Sequence, residues 1–187
     1  VQGVISEGFS DIILVDDGSR EENKKFFPSF EGVTLLVHEK NRGKGVALKT
    51  ALKYVFENRE SVAGVVTCDG DGQHTAFDTR KIAEKMLETN DFVLGVRDFS
   101  QKGVPFRSVL GNRLSSVAML LCSGSYITDT QTGLRAIPKH LIKPMLEIPG
   151  DRFEYESIVL LERKHMNAHK RGVKISNVYL EENKSGT

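Results

Sequence analysis

Asp69 and Asp71, separated by one glycine and followed by another, form the pattern in this sequence with the clearest chemical potential. The apolar residues 65–68 directly before them are typical of a buried parallel strand, which would end at the two carboxylates. Carboxylates at this spacing can both turn toward one divalent cation, and Gln73 or His74 would supply a further ligand. Hard oxygen ligands favour Mg²⁺ or Mn²⁺ over zinc. The alternative is an ordinary Asp-Gly turn after a strand.

Asp16 and Asp17 form a second acidic pair, again directly after a predicted buried strand, at residues 11–15. Open α/β sheets bind ligands at the carboxyl ends of their strands, so this pair also stands where a ligand would bind. The segment NRGKG at residues 41–45 opens a helix that is predicted to run to residue 58. Its glycines, the helix amino end and the side chains of Arg42 and Lys44 suit an anionic phosphate group. The alternative is a turn with solvated charges.

The order of the predicted elements argues for a doubly wound α/β fold. Further strands are predicted at residues 33–38, 65–68, 92–96 and 173–179. Further helices are predicted at residues 1–8, 21–27, 77–89, 104–122, 139–146 and 153–167, with a polar loop at residues 129–135. Because strands and helices alternate through short connections in the first half of the chain, the sheet should be mostly parallel.

The composition excludes several classes of protein. The 187 residues are sufficient for one domain, and 39% hydrophobic and 27% charged residues are ordinary for a globular protein. A net charge of +1 with dispersed lysines and arginines argues against nucleic-acid binding. The sequence contains no run of about 18 or more apolar residues, so no membrane span is predicted. Cys68 and Cys122 form no C-x-x-C pair and are expected in the core of a protein from a reducing compartment.

Six segments, taken together and in order, resemble the family 2 glycosyltransferases that include the dolichyl-phosphate mannose synthases and bacterial polyprenyl-phosphate glycosyltransferases. These segments are VDDGS, NRGKGVAL, DGDGQH, DTQTGLRA, RFEYE and VYLEENKSGT. The resemblance implies the GT-A fold, a Rossmann-like, mostly parallel sheet with helices on both faces. It also implies an inverting transfer of a hexose from a UDP- or GDP-linked sugar to a polyprenyl phosphate. Such a reaction would occur in the cytoplasm at the inner face of a membrane, in the synthesis of cell-envelope polysaccharide.

The resemblance assigns roles to individual residues. Asp69, Asp71 and Gln73 would hold Mg²⁺ or Mn²⁺ on the donor diphosphate. The expected donor-binding residues are Asp16, Asp17, Lys44 and Asp69, and the expected acceptor-binding residues are Arg97, Arg113 and Ser116. Asp129 and Arg135 match a D-x-x-x-G-x-R segment on the acceptor side and are the expected catalytic residues. A lipid phosphate is already anionic at neutral pH, so a strong base is dispensable. Because a carboxylate near Arg135 should keep a low pKa and be a weak base, Asp129 is expected to orient the acceptor-site arginines.

Relatives of this type usually begin with a strand that ends in a Pro-x-x-Asn-Glu-like loop at the nucleobase, and this sequence starts after that loop. We therefore expect residues 1–187 to form a single catalytic domain without the first strand and without a C-terminal membrane segment. The expected partners are a nucleotide sugar, a polyprenyl phosphate and a membrane surface. Two other functions stay open. One is transfer to a saccharide hydroxyl, which would need a general base in the cleft, and the other is nucleotide binding without catalysis.

Overall fold

The computed structural model describes residues 1–24, 32–97 and 132–176. The strands in these residues are β1 (Ile12–Asp16), β2 (Val33–Val37), β3 (Gly64–Thr67), β4 (Phe92–Arg97), β5 (Arg135–Pro138) and β6 (Lys170–Ile175). The helices are α1 (Gln2–Ser6), α2 (Glu21–Lys24), α3 (Lys44–Asn58), α4 (Ala76–Thr89), α5 (Lys139–Glu147) and α6 (Glu154–Glu162). Among these helices, none has the length and apolar composition that crossing a membrane requires. The predicted alternation of strands and helices up to β4 is confirmed.

The strands form two sheets. β1 and β2 pair in parallel, while β3, β5, β4 and β6 form a four-stranded sheet in that order. β5 is antiparallel to β3 and to β4, and β4 is parallel to β6. Three strands of this sheet therefore run in one direction, as predicted, with β5 reversed between two of them. Their carboxyl ends meet the amino end of β5 at one edge, where Arg135 pairs with both Thr67 and Leu94.

Apolar side chains cover both faces of the four-stranded sheet, because neighbouring residues of a strand point to opposite faces. Phe92, Leu94 and Ile137 pack on one face with residues of α3, α5 and α6. Val93 and Ala136 pack on the other face with residues of α4. The prediction of helices on both faces of the sheet is therefore confirmed.

The start of α3 is shaped by two glycines. Gly43, just before the helix, has a φ of +101°, a conformation that favours glycine. A Cβ added at Gly45, in the first turn, would lie 2.8 Å from the Cβ of Tyr155 and 2.8 Å from the backbone carbon of Asp151. Because Gly45 has no side chain, the first turn of α3 can pack directly against the beginning of α6. This contact brings Lys44 close to residues from the far end of the chain.

Some elements differ from the sequence-based predictions. Arg135 begins a strand instead of ending a polar loop, and all four residues of β5 are buried, so no alternation of polar and apolar residues marks the strand. β6 begins at Lys170 rather than at residue 173, because charged side chains are tolerated on an edge strand. α6 ends at Glu162 rather than at residue 167. Cys68 is exposed after β3 rather than in the core, and the predicted helix 104–122 lies outside the described residues.

Candidate active site

The acidic ends of β1 and β3 both contact the start of α3. The backbone N–H of Gly43 donates a 2.8 Å hydrogen bond to Oδ2 of Asp17, which follows β1. The next residue, Lys44, extends its side chain to Asp69, with 2.7 Å between Nζ and Oδ1. Adjacent residues of one helix start therefore bring together the two strand ends that the sequence predicts as ligand-binding positions.

Asp17 is held by three hydrogen bonds. Its Oδ1 accepts one from the backbone N–H of Arg42 at 2.9 Å and lies 2.7 Å from Nδ1 of His38, while Oδ2 accepts the one from Gly43. His38 is buried, and its Nε2 lies 3.0 Å from the hydroxyl of Thr50 in α3. Burial alone would raise the pKa of Asp17, but the bonds from His38 and the two backbone N–H groups outweigh burial and lower the pKa. Asp17 is therefore a fixed anion at neutral pH.

Asp16 and Gly18 shape the turn that presents Asp17. Asp16 is 2% exposed, and its Oδ1 accepts a 2.8 Å hydrogen bond from the backbone N–H of Ser19. Gly18 has a φ of +74°, and an added Cβ would lie 2.4 Å from the backbone of Lys40 and Asn41. The turn after β1 therefore lies directly against the turn after β2.

Lys44 joins two carboxylates from distant parts of the chain. Its Nζ lies 2.7 Å from Oδ1 of Asp69 and 2.7 Å from Oε2 of Glu156, a residue of α6. Burial alone would lower the pKa of Lys44, but the bonds to the two carboxylates outweigh burial and raise the pKa. His74, with Nε2 3.8 Å from Oδ2, and then Lys44 lower the pKa of Asp69 to about 2, against the opposing effect of burial. Asp69 and Lys44 are therefore ionised together at neutral pH.

Arg135 supports this cluster from the protein interior. The residue is 3% exposed, and its Nε and Nη1 donate to the backbone carbonyls of Thr132 and Glu156 at 3.0 and 2.9 Å. Its Nη2 lies 3.4 Å from Oε1 of Glu156. The Glu156 carboxylate therefore has one cation on its interior side, Arg135, and a second at the edge of the sheet, Lys44.

Gly133 provides the space that the Asp69 carboxylate occupies. A Cβ added at Gly133 would lie only 2.1 Å from Oδ2 of Asp69. The carbonyl of Gly133 accepts a 3.1 Å hydrogen bond from the hydroxyl of Thr67, the last residue of β3. The segment before β5 is thus fixed against the end of β3, and only glycine fits at this position without moving Asp69.

The loop after β3 carries a donor set that fits a hard divalent cation. Asp71 is exposed, and its Oδ1 accepts a 3.0 Å hydrogen bond from the backbone N–H of Gln73. The buried Nδ1 of His74 has no hydrogen-bond partner among the described residues. Within those residues, no group of three or more His, Cys, Asp or Glu side chains is placed to hold a metal ion. Mg²⁺ and Mn²⁺ need only one or two protein carboxylates, because water and phosphate oxygens complete their coordination.

A cavity of about 420 Å³ opens beside Lys44 and Asp17. Its wall is completed by Asn41, Gly43, Ala47, Arg152 and Phe153. The Phe153 residue is 75% exposed, and its ring centroid lies 5.8 Å from Nζ of Lys44. The volume is in the range of small-molecule binding sites. An exposed aromatic ring near cationic side chains suits a ligand that combines a flat ring with an anionic group.

The residues predicted for the acceptor side are only partly described. Arg97 ends β4 at the same edge of the sheet as the end of β3. Arg135 lies at that edge too, but its guanidinium group points into the interior rather than into a polar loop. Arg113, Ser116 and Asp129 lie outside the described residues, so their roles stay predictions.

Glu156, His38 and Phe153 belong to the site but were not predicted from the sequence. Glu156 belongs to the RFEYE segment, but a glutamate in a helix is ordinarily expected to face solvent. His38 and Asp17 are 21 positions apart and meet only because β1 and β2 pair in register. Glu156 is a charged residue in a segment that carries the resemblance, and this was a signal for it in the sequence. His38 and Phe153 have no comparable signal in the sequence.

Comparison with known proteins finds relatives along most of the chain. The model of the family described as Glycosyl transferase family 2 matches residues 4–143. An uncharacterized protein of Methanocaldococcus jannaschii is 32% identical over 181 residues, which cover 94% of this chain and 73% of that protein. The UDP-N-acetylglucosamine–dolichyl-phosphate N-acetylglucosaminyltransferase of Methanococcus voltae is 29% identical over 204 residues, which cover 97% of this chain and 80% of that enzyme.

Proposed function

We propose that this chain, which belongs to glycosyl transferase family 2, transfers a hexose from a UDP- or GDP-linked sugar to a polyprenyl phosphate with inversion at the anomeric carbon. Its fold is the GT-A fold, with helices on both faces of the sheet. The observation that carries the proposal is the cluster of Asp69, Lys44 and Glu156 beside a cavity of about 420 Å³ at the ends of the strands. The name of the Methanococcus voltae relative makes UDP-N-acetylglucosamine the first donor to test.

The cavity would bind the nucleoside diphosphate of the donor. Asp17 offers a carboxylate to the N–H or O–H groups of the nucleoside, and the exposed ring of Phe153 offers a surface for stacking. Lys44 and Arg152 line the same cavity and would contact the diphosphate. In this proposal Asp16 acts on the donor indirectly, because its carboxylate fixes the turn that carries Asp17.

Asp69 and Asp71, with Gln73, would hold Mg²⁺ or Mn²⁺ next to the diphosphate. When bound, the metal supplies positive charge that stabilises the leaving nucleoside diphosphate. Lys44 adds a positive charge on the same side of the donor. In the reaction, a phosphate oxygen of the lipid attacks the anomeric carbon, and the bond from that carbon to the diphosphate breaks. The attacking oxygen is already anionic, so these residues need not remove a proton.

On the acceptor side, we propose that Arg97, Arg113 and Ser116 bind the lipid phosphate and that Asp129 orients the arginines. Arg135 serves the site by holding Glu156, which in turn holds Lys44.

The reaction would take place at the cytoplasmic face of a membrane, where a water-soluble nucleotide sugar meets a lipid acceptor. A saccharide hydroxyl would instead need a general base, whereas Asp69 is the proposed metal ligand and Glu156 has Arg135 beside its carboxylate.

Replacing Asp71 with alanine tests the proposal. The side chain is exposed and the hydrogen bond that it accepts comes from its own loop, so Asp71→Ala should leave the melting temperature unchanged. The substitution should abolish the Mn²⁺-dependent binding of UDP or GDP that calorimetry measures. It should also abolish transfer of the sugar to a short polyprenyl phosphate. Glu88→Ala, which removes an exposed carboxylate of α4, is the control and should retain both properties. Equal metal-dependent nucleotide affinity in Asp71→Ala and wild type contradicts the metal assignment. Preference of the wild type for a neutral saccharide acceptor contradicts the polyprenyl-phosphate assignment.

A further inference from the structure

Lys44 makes the shorter of two side-chain contacts to Asp69, since Nε2 of His74 lies 3.8 Å from the same carboxylate. The 2.7 Å separation of Nζ and Oδ1 is that of a strong, charge-assisted hydrogen bond. The same carboxylate belongs to the proposed metal site. A divalent cation that bound Asp69 while Lys44 stayed in place would stand within a few ångströms of an ammonium group, and the two positive charges would repel each other.

We propose that Lys44 is a positioning residue that couples the two ligands of the site, so that a nucleoside diphosphate must draw Lys44 away from Asp69 before the divalent cation binds tightly. The inference rests on the proposed function, since it assumes that the cavity binds a diphosphate. The consequence is a preferred order of binding, in which the metal alone binds weakly and binds tightly once the nucleotide is present.

The surroundings of Lys44 allow this movement. Its side chain is 21% exposed and lines the cavity, so the ammonium group can turn toward a bound anion without unfolding α3. A lysine side chain is a flexible stem with a compact charge, in contrast to a planar, fixed guanidinium group. Arg135 has such a fixed position, because two backbone carbonyls accept its hydrogen bonds. When Lys44 leaves Glu156, Arg135 therefore remains beside that carboxylate and limits the cost of the movement.

The proposal predicts an unusual effect of removing Lys44. If the residue only bound phosphate, Lys44→Gln would weaken nucleotide binding and leave the affinity for Mn²⁺ alone unchanged. If the residue only stabilised the site, Lys44→Gln would lower the affinity for Mn²⁺ alone. If Lys44 competes with the metal for Asp69, Lys44→Gln should raise the affinity for Mn²⁺ alone by about tenfold. The factor by which UDP tightens Mn²⁺ binding should fall at the same time, and by linkage Mn²⁺ should tighten UDP binding by the same smaller factor.

The experiment is a titration of Mn²⁺ followed by electron paramagnetic resonance, with no ligand, with UDP and with inorganic pyrophosphate. Lys53→Gln is the matched control, because Lys53 also lies in α3 and its side chain is 65% exposed. It should behave as the wild type. Lys44→Arg keeps the charge and should bind Mn²⁺ alone no more tightly than the wild type, so tighter binding by this variant would overturn the role even if Lys44→Gln does not fold.

The outcomes separate this inference from the function on which it rests. A wild type that shows no metal-dependent nucleotide binding contradicts the proposed function. A wild type that shows such binding, with unchanged or lower affinity for Mn²⁺ alone in Lys44→Gln, overturns only the coupling role of Lys44. Tighter binding of Mn²⁺ alone in Lys44→Arg than in the wild type also overturns that role.

Discussion

Replacing Gly133 with alanine should displace the Asp69 carboxylate while leaving the backbone in place. The added Cβ would lie 2.1 Å from Oδ2 and 2.5 Å from Cγ of Asp69, whereas real Cβ contacts are essentially never below 3.0 Å. The carboxylate must therefore move by roughly 1 Å. The backbone of Gly133 has less freedom, because its carbonyl accepts a hydrogen bond from Thr67 and the next residues lead directly into β5. Because the Cβ would clash with both carboxylate oxygens, the movement would disrupt the 2.7 Å contact of Oδ1 with Lys44 and the 3.8 Å contact of Oδ2 with His74.

The cost of this displacement follows from the pKa of Asp69. His74 and then Lys44, against the opposing effect of burial, hold that pKa at about 2 instead of 3.8. A difference of this size corresponds to about 2 kcal/mol of folding free energy. Because the pKa is lower in the folded state, the contribution is present above the unfolded value of 3.8 and is lost as the pH falls toward 2. Gly133→Ala should thus lower the free energy of unfolding by up to about 2 kcal/mol at pH 7, and by less at low pH.

The assay combines urea unfolding at neutral pH with an NMR titration of the side-chain carboxyl carbon of Asp69. At pH 3, a pKa of about 2 leaves about 90% of the carboxyl groups ionised, and a pKa of 3.8 leaves about 14%. The wild type should match the first value, and Gly133→Ala should approach the second. Gly70→Ala is the control, because an added Cβ there meets no atom within 4 Å. An Asp69 that stays ionised at pH 3 in Gly133→Ala would refute the steric argument.

Two further predictions concern the walls of the cavity. Asp17→Asn should lower the free energy of unfolding by about 1–3 kcal/mol, because one amide oxygen cannot replace both carboxylate oxygens toward His38 and two backbone N–H groups. Asp11→Asn, which removes a partner of an exposed ion pair, should cost less than about 1 kcal/mol in the same unfolding assay, and equal costs would contradict the account. Phe153→Ala should weaken calorimetric binding of UDP by about twofold to tenfold without changing binding of pyrophosphate, because stacking needs the base. Phe77→Ala, at another exposed aromatic residue, should change neither affinity, and equal loss of pyrophosphate binding in Phe153→Ala would exclude stacking.

Elements with a local signal were predictable from the sequence. α4 is an example, because Thr75 caps its first turn by accepting a hydrogen bond from the backbone N–H of Asp78, and Asn90 ends it in a left-handed conformation. β5 has no such signal. Its four residues are buried on both faces, and its reversed direction depends on pairing with β3 and β4, which are far away in the sequence. Non-local pairing thus explains why the antiparallel strand was missed.

In the candidate site too, residues in short local motifs were predictable, whereas contacts between distant segments were not. Asp69 and Lys44 were predicted from short motifs at a strand end and a helix start, and the structure brings them into contact. Glu156 reaches the same ammonium group from a position 112 residues later in the chain than Lys44. That contact depends on how α6 packs against the start of α3. Residue type and spacing therefore predict the anions at the strand ends, but the tertiary fold determines which cation and which third carboxylate join them.

Asp17 and Asp69, at the ends of β1 and β3, differ in the hydrogen bonds and ion pairs that hold their carboxylates. An ionised carboxylate has about four positions for accepting hydrogen bonds, and Asp17 uses three of them for His38, Arg42 and Gly43. Within the described residues, one position on Oδ2 remains for a ligand. Because Asp17 is anionic, that position can accept a hydrogen bond from an N–H or O–H group. Asp69 is instead paired with a side chain that can turn away. Asp17 therefore suits recognition of a nucleoside without rearrangement, whereas under the proposed coupling Asp69 would bind a metal only after another anion has drawn Lys44 away.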